Sequence, residues 1–273
     1  MKIRIGYDIA YECLQPTPML LMLSVHPSRL PDLSTPHRML FDPPVAASDY
    51  RDGFGNTVTR ILAPEGRIRI ALDAAISDTG IPDPVAEHAQ QHPVEELPDE
   101  VLVYLLGSRY CETDRLSDTA WSLFSEVAPG WRRVQAICDF ANQHVAFGYE
   151  HARSTKTAWE GFMERKGVCR DFAHLAVTLC RCMNIPARYC TGYLGDIGVP
   201  ASDAPMDFSA WFEAYLGERW YTFDARHNIP RIGRVLMATG RDAADVAIST
   251  SFGPCTLTAF SVITEEIAEP VPA

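Results

Sequence analysis

The sequence has little of what membrane proteins, nucleic-acid-binding proteins and metalloproteins contain. Its first segment, Met1 to Asp8, alternates charged and apolar residues without a continuous apolar run, so we expect neither a signal peptide nor a membrane span and predict a cytoplasmic protein. The formal charge of −11, from 35 acidic and 24 basic residues, argues against a nucleic-acid partner. Five histidines do not stand at metal-ligand spacing from any cysteine or carboxylate, so no metal is expected. These are His26, His37, His88, His92 and His144.

Paired cysteine motifs are missing as well. The chain has 8 cysteines, but none form a Cys-x-x-Cys pair. Cys180, Cys182 and Cys190 stand in apolar helix and strand contexts, where a thiol behaves as a small buried hydrophobe. We therefore predict reduced core thiols throughout, with the exception of Cys169.

Hydrophobic periodicity divides the 273 residues into two parts. Residues 1–85 alternate with period two between turn clusters, which predicts an N-terminal β-sandwich-like domain. Residues 86–100 are rich in Pro, Glu, Gln and His and are interpreted as a linker. Residues 101–273 begin with helical periodicity and continue with strand patterns, so the predicted class is α+β. Three helices are predicted in this part, over residues 132–145, 158–165 and 169–183.

The most informative segment runs from Gly167 through Val168 and Cys169 to Leu175. It places a thiol on the first turn of an amphipathic helix. Unpaired N–H groups and the positive end of the helix dipole stabilise a thiolate at that position. We expect Cys169 to ionise near neutral pH and to attack a carbonyl group.

A hairpin downstream carries the second group of polar residues. Its two-residue loop, Gly217-Glu218, predicts a type II′ turn that pairs Leu216 with Arg219. Counting back without a bulge pairs Trp211 with Asp224 and places the polar side chains on one face, which Cys169 should approach. The residues of that predicted site face are Ser209, Trp211, Glu213, Thr222, Asp224 and Arg226.

These segments resemble the bacterial transglutaminase-like superfamily. The resemblance extends to Ile185-Pro186-Ala187-Arg188-Tyr189 and to Trp220-Tyr221-Thr222-Phe223-Asp224. Within the superfamily, the likeness is to the cysteine protease type that carries an N-terminal β-domain. The resemblance implies a papain-like transglutaminase core, in which the helix carrying the cysteine packs on an antiparallel sheet. By position, Cys169 matches the family nucleophile and Asp224 matches the acid that orients the family histidine. Ser209 stands where the family has that histidine.

The serine leaves the general-base position vacant, because a hydroxyl cannot accept a proton near pH 7. His227, three residues after Asp224, is the candidate substitute base, although on a continuing strand it would point to the other face. The alternative is that His227 is structural, as we expect of His174. Two further residues are assigned to the cleft, Trp211 as wall or core and Arg226 as a cleft residue or an ion-pair partner of Asp224.

The leading functional hypothesis is thiol-dependent acyl transfer on amide or ester bonds, of peptidase, amidase or transglutaminase type, without a cofactor. Its substrate would be a peptide or protein amide, or a small amide or ester. The alternative is a catalytically impaired family member that binds a peptide or protein, with Ser209 as the mark of lost chemistry. A point substitution at Ser209 is a third explanation of that residue.

Overall fold

Two facing sheets form the first part of the fold, and in its longest strands a buried residue recurs at every second position. The computed structural model describes residues 1–201 and 205–268. In its first strand Ile3, Ile5 and Ile9 are fully buried, and this strand pairs along its whole length with the sixth. The strands of this part are β1 Lys2–Cys13, β2 Thr17–Leu21, β3 Leu40–Asp42, β4 Ala47–Arg51, β5 Thr57–Ala63 and β6 Gly66–Ser77.

The end of the described chain returns to these sheets. β13, Ser249–Ser251, pairs with β2, and β14, Cys255–Ile267, pairs with β1. The resulting β-sandwich has the sheet orders β14-β1-β6-β3 and β13-β2-β5-β4. The division of the chain into 1–85, 86–100 and 101–273 stays a prediction. Residues 202–204 and 269–273, in the last of these parts, lie outside the described residues. Strand pairing nevertheless assigns β13 and β14 to the sandwich, because β1 and β2 offer the edges that they complete.

A disulfide corrects the expectation of reduced thiols. Cys13 and Cys255 are bonded, with Cα atoms 4.2 Å apart. They are 242 residues apart in sequence and meet only because β1 and β14 place them opposite each other. The other six cysteines are free, and all of them except Cys169 are buried.

The remaining elements form a helix-containing unit, which we define as residues 99–240. The helix that starts at Cys169 packs on an antiparallel sheet of order β11-β10-β9-β12, which confirms the predicted α+β class. The sequence analysis missed the helix Thr113–Phe124 and the strand Val235–Gly240. The helices are α1 Asp99–Leu102, α2 Thr113–Phe124, α3 Trp131–His144, α4 Ala158–Glu164 and α5 Cys169–Cys182. The strands are β7 Ala146–Phe147, β8 Lys166–Gly167, β9 Ala187–Tyr193, β10 Ser209–Leu216, β11 Arg219–Phe223 and β12 Val235–Gly240.

The segment between the sandwich and α1 lies along the helix-containing unit. Ala86 and Ala89 are buried in the core of that unit, and the carbonyl oxygen of Ala89 accepts the N–H of Trp131 at 3.0 Å. The carbonyl oxygen of Gln90 accepts the N–H of Gly217 at 2.9 Å. The composition of residues 86–100 suggested a linker, but these contacts hold the first part of the segment against the unit.

The hairpin of β10 and β11 has the predicted register, with Leu216 opposite Arg219 and Phe212 opposite Phe223. The turn type was predicted wrongly. Both Gly217 and Glu218 have positive φ, 52° and 66°, which is the pattern of a type I′ turn. Both turn types close a two-residue loop, so the register does not change.

Candidate active site

Cys169 is the first residue of α5, and the preceding loop explains how it is placed there. The Asp171 carboxylate accepts the N–H of Val168 at 2.9 Å and so satisfies a donor at the helix start. A Cβ atom on Gly167 would lie 2.6 Å from the Cβ of Asp171, so only glycine fits in that turn. Cys169 is half-buried and packs against Ala173 and Ala210. It also lines a cavity together with Ser209 and Arg226 of the predicted site face, so the approach of Cys169 to that face stays a prediction.

The protonation of the thiol depends on its surroundings. Burial raises the pKa of Cys169 to about 11, although Arg226 and a hydrogen bond from the backbone of Ala210 lower it. Asp207 and Asp224 raise the pKa further. Burial therefore opposes the expected ionisation near neutral pH, which stays a prediction. A group that accepts the thiol proton is needed at pH 7.

Asp224 follows the last residue of β11 and turns the chain. Its Oδ1 accepts the backbone N–H groups of Arg226 and His227, each at 3.0 Å. Its Oδ2 lies 2.8 Å from Nη2 of Arg234 and 2.8 Å from Nδ1 of His227. Burial acts to raise the pKa of Asp224, but Arg234 and His227 outweigh it and hold the pKa well below its usual range. Asp224 is thus an ionised, fully hydrogen-bonded carboxylate.

The side chain of His227 is oriented by this carboxylate. An ionised carboxylate can only accept hydrogen bonds, so Nδ1 of His227 carries a proton, and in the neutral imidazole Nε2 is then the acceptor. The strand ends at Phe223, so His227 does not point to the opposite face as a continuing strand would require. His227 lines a narrow cavity of about 60 Å³ together with Cys169, Ser209 and Arg226.

The other predicted site residues lie at different distances from the thiol. Ser209 is buried, lines the same cavity as Cys169, and pairs with Gly192 of β9. It does not face Arg226, because β11 ends at Phe223. Trp211 is buried beneath the guanidinium of Arg234, 5.1 Å from its ring centre, and lines a separate cleft. Its burial fits the core alternative, and its assignment to the cleft of Cys169 stays a prediction.

Arg226 and His174 complete the comparison. The guanidinium of Arg226 lies 3.8 Å above the ring of Phe147 and borders the cavity, so the ion pair predicted with Asp224 is not formed. Arg234 takes that place. His174 is fully buried, and its Nε2 accepts the N–H of Ala243 at 3.1 Å, as expected of a structural histidine.

A larger cleft opens on the other side of Cys169. It has a volume of about 700 Å³, within the range of ordinary ligand sites. Its lining residues include Tyr110, Arg170 and Tyr189 and, from β14, Leu257 and Phe260. The thiol thus stands between a narrow cavity that contains an imidazole and a mostly apolar cleft that could hold a substrate.

Known proteins match this chain in sequence and in fold. Residues 120–225 match the model of the transglutaminase-like superfamily core. A solved structure from Cytophaga hutchinsonii, described as a "Putative Cysteine Protease", is 30% identical, superposes with a TM-score of 0.85, and is matched over 100% of this chain and 92% of its own. The chain belongs to the transglutaminase-like superfamily.

Two mycobacterial proteins match smaller parts of the chain. A Mycobacterium leprae protein is 36% identical over 89 residues, which is 30% of each chain. A Mycobacterium tuberculosis protein is 26% identical over 234 residues, 77% of this chain and 73% of its own. Both are described as uncharacterized.

Two kinds of feature are absent from residues 1–201 and 205–268. No helix in these ranges is long and apolar enough to cross a membrane. The same residues contain no group of three or more His, Cys, Asp or Glu side chains that could hold a metal ion.

Proposed function

We propose that this superfamily member performs thiol-dependent acyl transfer, with Cys169 as nucleophile, His227 as general base and Asp224 as the acid that orients the imidazole. The observation that carries the proposal is the 2.8 Å contact between Asp224 and Nδ1 of His227 beside the cavity that Cys169 lines. It supports a triad in which the imidazole comes from the turn after β11, whereas the family histidine would stand at Ser209 on β10.

In the first half-reaction Nε2 of His227 takes the proton of the thiol while Cys169 Sγ attacks the carbonyl carbon of the substrate. The carbonyl oxygen becomes an oxyanion, and the backbone N–H of Cys169, which has no intrahelical acceptor at the helix start, can donate to it. The imidazolium then gives its proton to the leaving amine or alcohol. The C–N or C–O bond breaks, and the acyl group remains on sulfur as a thioester.

In the second half-reaction His227 takes a proton from water or an amine, which attacks the thioester carbonyl. The C–S bond breaks, and the imidazolium returns the proton to the thiolate. The product is an acid with water or an amide with an amine, so hydrolysis and transamidation share the same residues. The raised pKa of Cys169 makes the base essential at pH 7.

The proposed substrates are peptide or protein amides, with small amides or esters as simpler versions of the same bond. The large cleft beside Cys169 supports this choice, because its apolar wall suits side chains and its volume exceeds that of the reacting group alone. The description of the Cytophaga hutchinsonii structure as a cysteine protease points in the same direction. No step of this chemistry needs a cofactor.

The second candidate is a binding protein that has lost catalysis. Two observations favour it, namely serine at the family histidine position and a thiol whose pKa burial raises to about 11. In that case the same cleft would hold a peptide that is not cleaved.

The cytoplasmic location stays a prediction, although the Cys13–Cys255 disulfide is a kind of bond more usual in oxidising compartments.

The experiment compares the wild type with Cys169→Ala and His227→Gln on an activated ester. We expect turnover in the wild type, none in Cys169→Ala, and an acyl adduct on Cys169 in the mass spectrum of the quenched wild-type protein. If the wild type forms no adduct and its turnover equals that of Cys169→Ala, the binding hypothesis replaces the enzymatic one.

A further inference from the structure

The carboxylate of Asp224 is held by a second buried charge that the family pattern did not indicate. Arg234 donates from Nη2 to Oδ2 of Asp224 at 2.8 Å, on the same oxygen that contacts His227. The Arg234 side chain is only 8% exposed, so the pair is shielded from water. Arg234 borders the cleft of Trp211 and belongs to neither cavity of Cys169, so it does not contact a substrate bound at the thiol.

Arg234 is itself fixed by residues from the sandwich side of the chain. Its Nε donates to Oδ2 of Asp83 at 2.7 Å, and Asp83 belongs to the segment that leaves the sandwich after β6. The same carboxylate oxygen accepts the N–H of Arg231 at 2.9 Å. Arg29, from the turn after β2, donates to the carbonyl oxygen of Arg234 at 2.6 Å. The guanidinium therefore has one fixed position between two carboxylates.

We infer that Arg234 is a positioning residue that keeps Asp224 ionised and aimed at His227, and that Asp83 holds Arg234 in place for this role. The inference rests on the proposed roles of Asp224 and His227. A guanidinium suits this task because its planar fork can donate to two carboxylates from separate nitrogens, whereas an ammonium is a single point charge.

Through Asp224, Arg234 determines which nitrogen of His227 carries the proton. With Arg234 present, Asp224 accepts and Nδ1 donates, which leaves Nε2 free for the thiol proton. Without Arg234, burial favours the neutral form of Asp224, and a protonated carboxyl donates its own hydrogen to Nδ1. The imidazole would then carry its proton on Nε2, the tautomer that cannot act as a base toward Cys169.

The test is a ¹⁵N NMR measurement of the histidine tautomers, with the His227 signal assigned by its loss in His227→Gln. At a pH where the imidazole is neutral, we expect the Nδ1–H tautomer in the wild type and the Nε2–H tautomer in Arg234→Met. Arg188→Met is the matched control, because Arg188 forms an ion pair with Glu213 at 2.5 Å on the same sheet. The control should keep the wild-type tautomer.

The inference is overturned if Arg234→Met keeps the Nδ1–H tautomer, or if Arg188→Met loses it equally. Where Arg234→Met does not fold, the uncharged Arg234→Gln and Asp83→Ala replace it, and an unchanged tautomer in both overturns the inference. Turnover provides the second readout. We expect kcat to fall roughly 10- to 100-fold in Arg234→Met with KM unchanged, as for groups that orient reacting residues without touching substrate.

The two proposals fail separately. The tautomer is measured on folded protein whether or not it turns over substrate. A tautomer change without any thiol-dependent turnover in the wild type would support the role of Arg234 and contradict the enzymatic function, whereas turnover with an unchanged tautomer would do the reverse.

Discussion

Removal of the His227 imidazole is the perturbation that tests the proposed chemistry most directly. His227→Gln keeps a side chain of similar size that can still donate to Asp224, but it has no nitrogen that accepts a proton. With a thiol pKa of about 11, about one Cys169 in ten thousand is ionised at pH 7 without a base. General-base assistance is worth about 10²–10⁴ in rate. We therefore expect kcat/KM at pH 7 to fall by about 10² to 10⁴. The fall is no larger than this because the fraction of Cys169 that ionises spontaneously still reacts.

The pH dependence and the leaving group sharpen this test. In His227→Gln the rate should rise about tenfold per pH unit up to the thiol pKa of about 11, because hydroxide then replaces the base. The loss should be greater for an amide than for an activated ester, since only the amine needs a proton from the imidazolium. Stopped-flow or plate assays of nitrophenyl ester and nitroanilide hydrolysis measure both effects.

His151→Gln is the matched control for this variant. His151 lies in the turn before α4 with its Nε2 3.4 Å from Glu150, and it does not line either cavity of Cys169. We expect it to keep wild-type rates. Turnover of His227→Gln within about threefold of wild type at pH 7, or an equal loss in His151→Gln, would refute the assignment of the base.

Three further outcomes are expected. Brief alkylation should modify Cys169 before the five other free thiols, which are all buried, and peptide mapping that finds another cysteine labelled first would contradict the nucleophile assignment. Ser209→His alone should raise turnover less than about tenfold, because Asp224 already holds His227. In the His227→Gln background, Ser209→His should recover part of the lost rate. Kinetic assays that show a large gain in the wild-type background and no recovery in the His227→Gln background would favour position 209 on β10 as the site of the base. Replacing Cys13 and Cys255 with serine should lower the free energy of unfolding by about 2–5 kcal/mol, and an unchanged urea midpoint would exclude a stabilising disulfide.

Local chemistry made the hairpin predictable from sequence. A two-residue loop fixes the register whichever primed turn closes it, so Leu216 meets Arg219 as expected. The prediction failed one residue after β11, where it assumed a continuing strand. The Asp224 carboxylate accepts the N–H groups of the second and third residues after it, and this side-chain contact competes with sheet pairing. The following Arg226-His227-Asn228 run and Pro230 were a signal for that turn.

Long-range contacts could not be predicted in the same way. Arg234 reaches Asp224 from a segment whose sequence has neither helical nor strand periodicity before β12, and no spacing rule connects the two residues. Cys13 and Cys255 meet through the pairing of strands from the two ends of the described chain. In both cases the partner is chosen by tertiary packing, for which a single sequence carries no local pattern.

The return of β14 to the first strand determines when the sandwich can be completed during synthesis. β1 leaves the ribosome long before β14, its neighbour at one edge, since the paired residues Cys13 and Cys255 are 242 positions apart. Until then one edge of β1 has unpaired backbone groups, which other strands can bind. Residues 99–240 are all translated within this interval, so the helix-containing unit can fold cotranslationally while the sandwich is still open. A nascent chain that stalls before β14 would therefore expose an unpaired strand edge, which favours aggregation.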